Sequence, residues 1–154
     1  MPTVFDVADF FLFRQDVDAG DTISNMTLQK LCYYAQGFSL ALLNEPLYDE
    51  EIQAWQHGPV VPNLYQKYKH YGKGAITRPE KTEREIYAPF TKKQLHVLEE
   101  VHEMYGQYTA SKLRDFTHDE PPWYTHYHSE DVYHNEAIPL ADMKRFFDTQ
   151  VVNG

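Results

Sequence analysis

Among the side chains that could do chemistry, the eight histidines come first. His126, His128 and His134 lie close together with Glu130 and Asp131, a mixture of imidazole and carboxylate donors of the kind that holds transition metals. A His-x-His pair can present both rings to one ion from a strand, but three or four groups must converge in space. The surrounding stretch has the composition of a polar surface loop, and no His-Glu-x-x-His helix motif occurs. No metal is therefore expected; were one bound, His126, His128 and His134 would be its ligands. A metal-dependent hydrolase using these three with His118 is the enzymatic alternative. His118, Asp119 and Glu120 could also do general acid–base work, although the plainer role of His118 is a local hydrogen bond that shapes the turn before Pro121.

Nucleophilic chemistry has little support. A cysteine nucleophile needs a thiolate and a nearby base, and Cys32, the single cysteine, falls on the apolar face of a helix, where it reads as core. Gly72-Lys-Gly-Ala lacks the spacing of a phosphate-binding loop, and neither G-x-S-x-G nor G-x-G-x-x-G occurs. No enzyme signature survives, and no cofactor is implied. The aromatic residues remain, at 15% of the chain. Trp55 stands in Trp55-Gln-His57-Gly58-Pro59, and Trp123 closes His118-Asp-Glu-Pro-Pro122-Trp123. Aromatic anchors beside rigid turns suit a protein-binding surface. Equally, both indoles could buttress their turns from inside.

Charge narrows the partners. The chain of 154 residues has 14 basic and 23 acidic side chains, a net charge of −9. Residues 1–66 hold two basic and nine acidic groups, residues 94–154 four and eleven, and the middle, 67–93, eight and three. Such a protein repels nucleic-acid phosphate over most of its surface and steers basic partners toward itself. The basic middle reads as a solvated loop and helix face. A DNA-binding autoregulator acting through the basic segment 67–93, testable by alanine at Lys67, Lys69 and Lys73, is a further alternative, which the overall charge disfavours.

The elements that must position these residues are mostly helices. Val4, Val7, Ala8, Phe11 and Leu12 fall at helical spacing. From about residue 26 to 43, Leu28, Leu31, Cys32, Ala35, Phe38 and Leu42 mark the strongest helix, with Ser24 or Asn25 as N-cap. Tyr33, Tyr34 and Leu40 give it a second apolar flank, so it should be central and contacted from several sides. Alternation over residues 50–55 suggests one or two short strands, and Gly58-Pro59 signals a turn. Pro62 fits the first position of a helix with the face Leu64, Tyr65, Tyr68 and Tyr71, stopped at Gly72. Residues 72–88 read as an exposed loop with a short edge strand at 85–87. Thr91 and Gln94 form a capping box for the next helix, which Gly106 ends. A shorter helix at 109–116, a turn through 117–123 and a last helix over 138–147 complete the chain. The expectation is a mainly α protein, one domain over 1–154 with its core at about 4–148, and a small β element between the second and third helices. With one cysteine, no apolar run of membrane-spanning length and an acid at residue 6 where a signal peptide carries bases, the expected home is the cytoplasm.

Three segments together resemble the Panacea antitoxin domain, the SocA-like or GepA-like family of bacteria and their phages. They are Met26-Thr-Leu-Gln-Lys-Leu-Cys-Tyr-Tyr-Ala-Gln-Gly37, the stretch from Pro46-Leu through Ala54-Trp55 to Gly58-Pro59-Val60, and Leu113 through Thr117-His118 to Pro122-Trp123. Their order and spacing agree with the family over roughly residues 4–148, whereas the polar stretch 125–135 has no counterpart in it. The resemblance implies a non-enzymatic antitoxin that binds and neutralises a protein toxin encoded next to it. It also points to Trp55, His57, Gly58, Pro59, His118, Pro122 and Trp123 as the residues with partner-binding or motif roles.

Overall fold

The computed structural model describes residues 1–129 and 135–151. Along the chain run α1 (Val4–Phe13), α2 (Asn25–Leu43), the strands β1 (Gln53–Trp55) and β2 (Gly58–Val60), and α3 (Pro62–Tyr68), which tightens into a 3₁₀ turn at Lys69–Tyr71. Then come α4 (Glu83–Tyr87), α5 (Lys92–Tyr105), α6 (Ala110–His118), α7 (Pro121–Tyr124) and α8 (Leu140–Gln150). The architecture is mainly α, with one two-stranded antiparallel element between the second and third helices.

Helix α2 is the axis of the fold. Ser24 caps it by accepting from the Thr27 amide, and Asn44 ends it in the left-handed conformation at φ 57°, two residues before Pro46. It packs against α8, α5, α1, α6 and β2, so residues on nearly every side are buried. A helix surrounded this way must bury polar residues as well as apolar ones, and their groups need partners. Gln36 receives the Leu47 amide at 2.6 Å and donates to the Tyr48 carbonyl at 2.8 Å. Gln29 accepts from the Val61 amide at 2.9 Å. Ser39 donates to the Glu45 carbonyl at 2.8 Å. These side chains fasten irregular chain segments onto the helix. Tyr48 closes the same corner by donating to the Cys32 carbonyl at 2.8 Å.

The far side of α2 receives α8. Phe147 is fully buried among Tyr33, Tyr34 and Phe38, with ring centroids 5.0–6.0 Å away. It can sit there because Gly37 has no Cβ: one would stand 2.1 Å from Phe147 Cε2.

Four elements differ from the sequence reading, the first being α7, a helical turn opened by Pro121 and Pro122 inside the stretch 117–123 that reads as a turn. Residues 83–87 form α4, in place of a loop with an edge strand at 85–87. The Thr82 hydroxyl and the Glu85 carboxylate complete a reciprocal capping box, and Ile86 is buried as α4 packs on α1. Gly58 and Pro59 belong to β2, and the turn lies one step earlier, at Gln56 and His57. Helix α6 extends through His118, so that histidine projects from a helix and not from a turn. The Thr91–Gln94 capping box, Pro62 at the start of α3 and Gly72 at the end of the 3₁₀ turn with φ 58° all agree with the sequence.

Candidate functional site

The hairpin β1–β2 is the meeting place of the three recognisable segments. Its register pairs Gln53 with Val60, Ala54 with Pro59 and Trp55 with Gly58. On the outer side of β1, the Ala54 amide donates to the Glu136 carbonyl at 2.9 Å and the Ile138 amide to the Ile52 carbonyl at 2.8 Å. On the inner side, the Trp123 indole donates to the Trp55 carbonyl at 2.7 Å. Trp123 is the middle of a three-ring stack. His118 lies parallel to it at 3.8 Å and 3°, and Tyr127 at 4.7 Å and 16°. The His118 ring also donates to the Gln56 backbone. Two elements remote in sequence, α6–α7 and the hairpin, are thereby locked together.

The seven motif residues divide by exposure. Gly58, Pro59, Pro122 and Trp123 are buried, the first two within β2 itself. Trp55 is half-buried, its ring edge-on to Tyr65 at 5.0 Å and its indole N–H donated to Gln53 at 2.9 Å. His57 is exposed at the tip, and His118 is half-buried beneath it. Beside the tip opens a groove of about 450 Å³, whose wall includes Met26, Trp55, Gln56, His57, Tyr65 and Tyr127.

Beneath the tip lies Lys30, which belongs to the Met26–Gly37 segment but is not among the seven motif residues. Only 1% of it is exposed, and its side chain fills the space that a Gly58 Cβ would take. Such a Cβ would stand 2.7 Å from Lys30 Cε, 3.3 Å from Lys30 Nζ and 2.9 Å from Thr117 Oγ1. Gly58, at φ +116°, is therefore required both by its backbone and by its neighbour. Among the described residues, two buried side-chain polar atoms lack a hydrogen-bond partner: Lys30 Nζ and His118 Nε2. Burial, helped by the positive charge of Arg114, brings the Lys30 ammonium down to about 7. Burial also lowers His118 and His57 below the ordinary histidine value, with Arg114 and Lys30 adding to it at both rings. Signals for Lys30 were present in the sequence, since a helix with two apolar flanks leaves no side on which a lysine can stay in water.

Glu120, which the sequence offers with His118 and Asp119 for general acid–base work, is held in a structural contact. It starts α7 and accepts from the Tyr33 hydroxyl at 2.9 Å and the Tyr34 hydroxyl at 2.8 Å. Burial raises its carboxyl to about 7, against the lowering effect of the two hydroxyls. It ties the start of α7 to α2.

The candidate metal ligands are occupied otherwise. His126 Nε2 lies 2.6 Å from Asp142 Oδ2, and His128 Nε2 lies 2.5 Å from Glu136 Oε2. His134, with Glu130 and Asp131, lies outside the described residues. His118 is in the separate stack on Trp123. Among the described residues, no group of three His, Cys, Asp or Glu side chains is placed to hold a metal ion. The basic middle is partly consumed by α1: Lys81 pairs with Asp9 at 2.7 Å, Arg78 donates to the Phe13 carbonyl at 2.8 Å, and Lys67 lies over the Phe5 ring. Neither arrangement favours the hydrolase or the DNA-binding alternative. Among the described residues, no helix is long and apolar enough to cross a membrane.

The comparisons with known proteins agree with the motif geometry. The family model described as "Antitoxin SocA-like, Panacea domain" matches residues 28–124, which contain Lys30, the hairpin, His118 and Trp123. The antitoxin SocA of Caulobacter vibrioides (strain NA1000 / CB15N) is 34% identical over 109 residues, covering 66% of this chain. The match spans 58% of that relative's own length. No solved structure matches the chain.

Proposed function

The chain belongs to the SocA-like Panacea antitoxin family, and on that premise we propose that it binds a protein toxin encoded beside it and neutralises it by forming a direct complex, without catalysis. The observation that carries this reading is the convergence of the three family segments on the β1–β2 hairpin, where Trp123 donates to Trp55 and His118 stacks on Trp123. In this reading the buried members Gly58, Pro59, Pro122 and Trp123 make the hairpin rigid. Exposed His57 and half-buried Trp55 meet the partner, and the groove beside them takes one of its side chains. A preorganised turn loses little freedom when it docks, which leaves more of the contact energy for affinity. Both proteins would act in the cytoplasm.

The test is co-expression. The adjacent open reading frame is expressed alone and with this protein while growth is followed, and the tagged antitoxin is then pulled down. Growth arrest relieved together with co-purification is the expected result. A harmless neighbour, or toxicity that persists with no complex, would overturn the reading.

A further inference from the structure

Lys30 breaks a rule that the rest of α2 keeps. Gln29, Gln36 and Ser39 are buried and hydrogen-bonded, whereas Lys30 Nζ is buried and has nothing to bond to. An unpaired ammonium in a protein interior is strongly unfavourable, and such local violations concentrate where a ligand later completes the site. The surroundings add to the imbalance. Arg114, exposed on α6, forms no ion pair among the described residues, and its charge acts on Lys30, His57 and His118. Lys73 adds a further positive charge at His57, and Asp115 supplies the opposing charge at His118. A protein of net charge −9 has thus gathered unbalanced cations around one tight turn.

We propose that Lys30, Arg114 and His118 form the receptor for a single carboxylate of the partner protein, delivered past the exposed turn at Gln56 and His57. The proposal rests on the toxin-binding reading for the identity of the partner. The chemistry favours a carboxylate side chain. Lys30 Nζ donates to one carboxylate oxygen. His118, whose other ring nitrogen already donates to the Gln56 backbone, takes a proton from solvent on Nε2 as the negative charge arrives and donates it to the second. Charge-assisted bonds to a fixed carboxylate are short and strong. A polyanion such as nucleic acid would meet the acidic remainder of the surface and be repelled. A lone carboxylate on a protein, whose other contacts are made to Trp55 and the groove, would not.

The test separates the site from the toxin. Lys30→Met in the full chain keeps the side-chain volume and removes the charge, so its melting temperature should equal or exceed that of the parent. Tryptophan emission, reporting from Trp123 beside His118 and from Trp55, is then followed as acetate replaces chloride at constant ionic strength. The parent should show a saturable change, weakened at least tenfold in Lys30→Met and in Arg114→Gln and unaltered in Lys69→Ala. A lower melting temperature for Lys30→Met would mean that the lysine is structural, and would overturn the proposal. So would the absence of a saturable change, or inorganic phosphate acting at a tenfold lower concentration than acetate. None of these readouts needs the toxin, so failure of growth rescue by the parent would strike the proposed function alone. A Lys30→Met chain that loses the acetate response yet rescues growth fully would strike this inference alone.

Discussion

Glu120→Gln should stabilise the protein at pH 8 and flatten its dependence on pH. The Glu120 carboxyl is raised from 4.5 to about 7 because burial penalises its charged form more than the Tyr33 and Tyr34 hydroxyls favour it. The folded state therefore holds a proton on Glu120 that the unfolded chain gives up between about pH 4.5 and pH 7. The stability contributed by this group is complete below the unfolded value and is lost as pH rises through the folded one. A shift of that size corresponds to roughly 3 kcal/mol. The carboxyl is half-buried, so screening by solvent reduces the figure to about 1–2 kcal/mol. Glutamine resembles the protonated form, with one acceptor and one donor for the two tyrosines. Its neighbours do not blur the result, because Tyr33, Tyr34 and Tyr105 are all pushed to higher values and stay neutral. Urea unfolding of both chains at pH 5, 6, 7 and 8 supplies the difference. The variant should match the parent near pH 5 and exceed it by about 1–2 kcal/mol at pH 8. Parallel curves across this range, or a variant less stable by about 1 kcal/mol at pH 8, would show that the ionised carboxylate is fully compensated and the reasoning wrong.

Two other perturbations test the packing that holds the site. Gly37→Ala would force its Cβ into the Phe147 ring at 2.1 Å. It should lose about 1–3 kcal/mol to overpacking, offset by up to about 1 kcal/mol of helix propensity. Thermal denaturation should show the loss, and a smaller residue at 147 should recover part of it; a rise in melting temperature would mean that α8 is not seated on α2. Burial pushes the Cys32 thiol well above its ordinary value. Iodoacetamide at pH 8 should leave the native protein unlabelled and label it fully in urea, whereas labelling of the native state at the rate of a free thiol would show that α2 is open to solvent.

The helices were legible because their signals are local. The spacing of Leu28, Leu31, Cys32 and Ala35, the Thr91–Gln94 box and Pro62 at a first turn each depend on residues within a few positions of one another. Helix α4 was missed for the same reason in reverse: its five residues show one buried side chain, Ile86, and the decisive Thr82–Glu85 box sits among charges that read as a loop. At the hairpin, Gly58 looked like a turn glycine. Its place in β2 follows from Lys30 and Thr117, which press on it from α2 and α6, and no window of sequence contains all three.

The same distinction separates support from recognition at the candidate site. Trp123 is placed by bonds it already makes, to the Trp55 carbonyl and to the rings on its two faces, so its role is complete within the chain. Lys30 makes no bond of this kind, although it lies on the same helix as glutamines and a serine that all do. A fold that satisfies Asn25, Thr27, Gln29, Gln36 and Ser39 on one helix and leaves Lys30, a cation, without a partner is not short of ways to pair it. Leucine or methionine at position 30 would have packed with no charge to desolvate. Retaining a lysine there makes sense if the missing partner arrives from outside, and the stability of Lys30→Met measures that directly, because a side chain held for binding alone is one that the free protein is better off without.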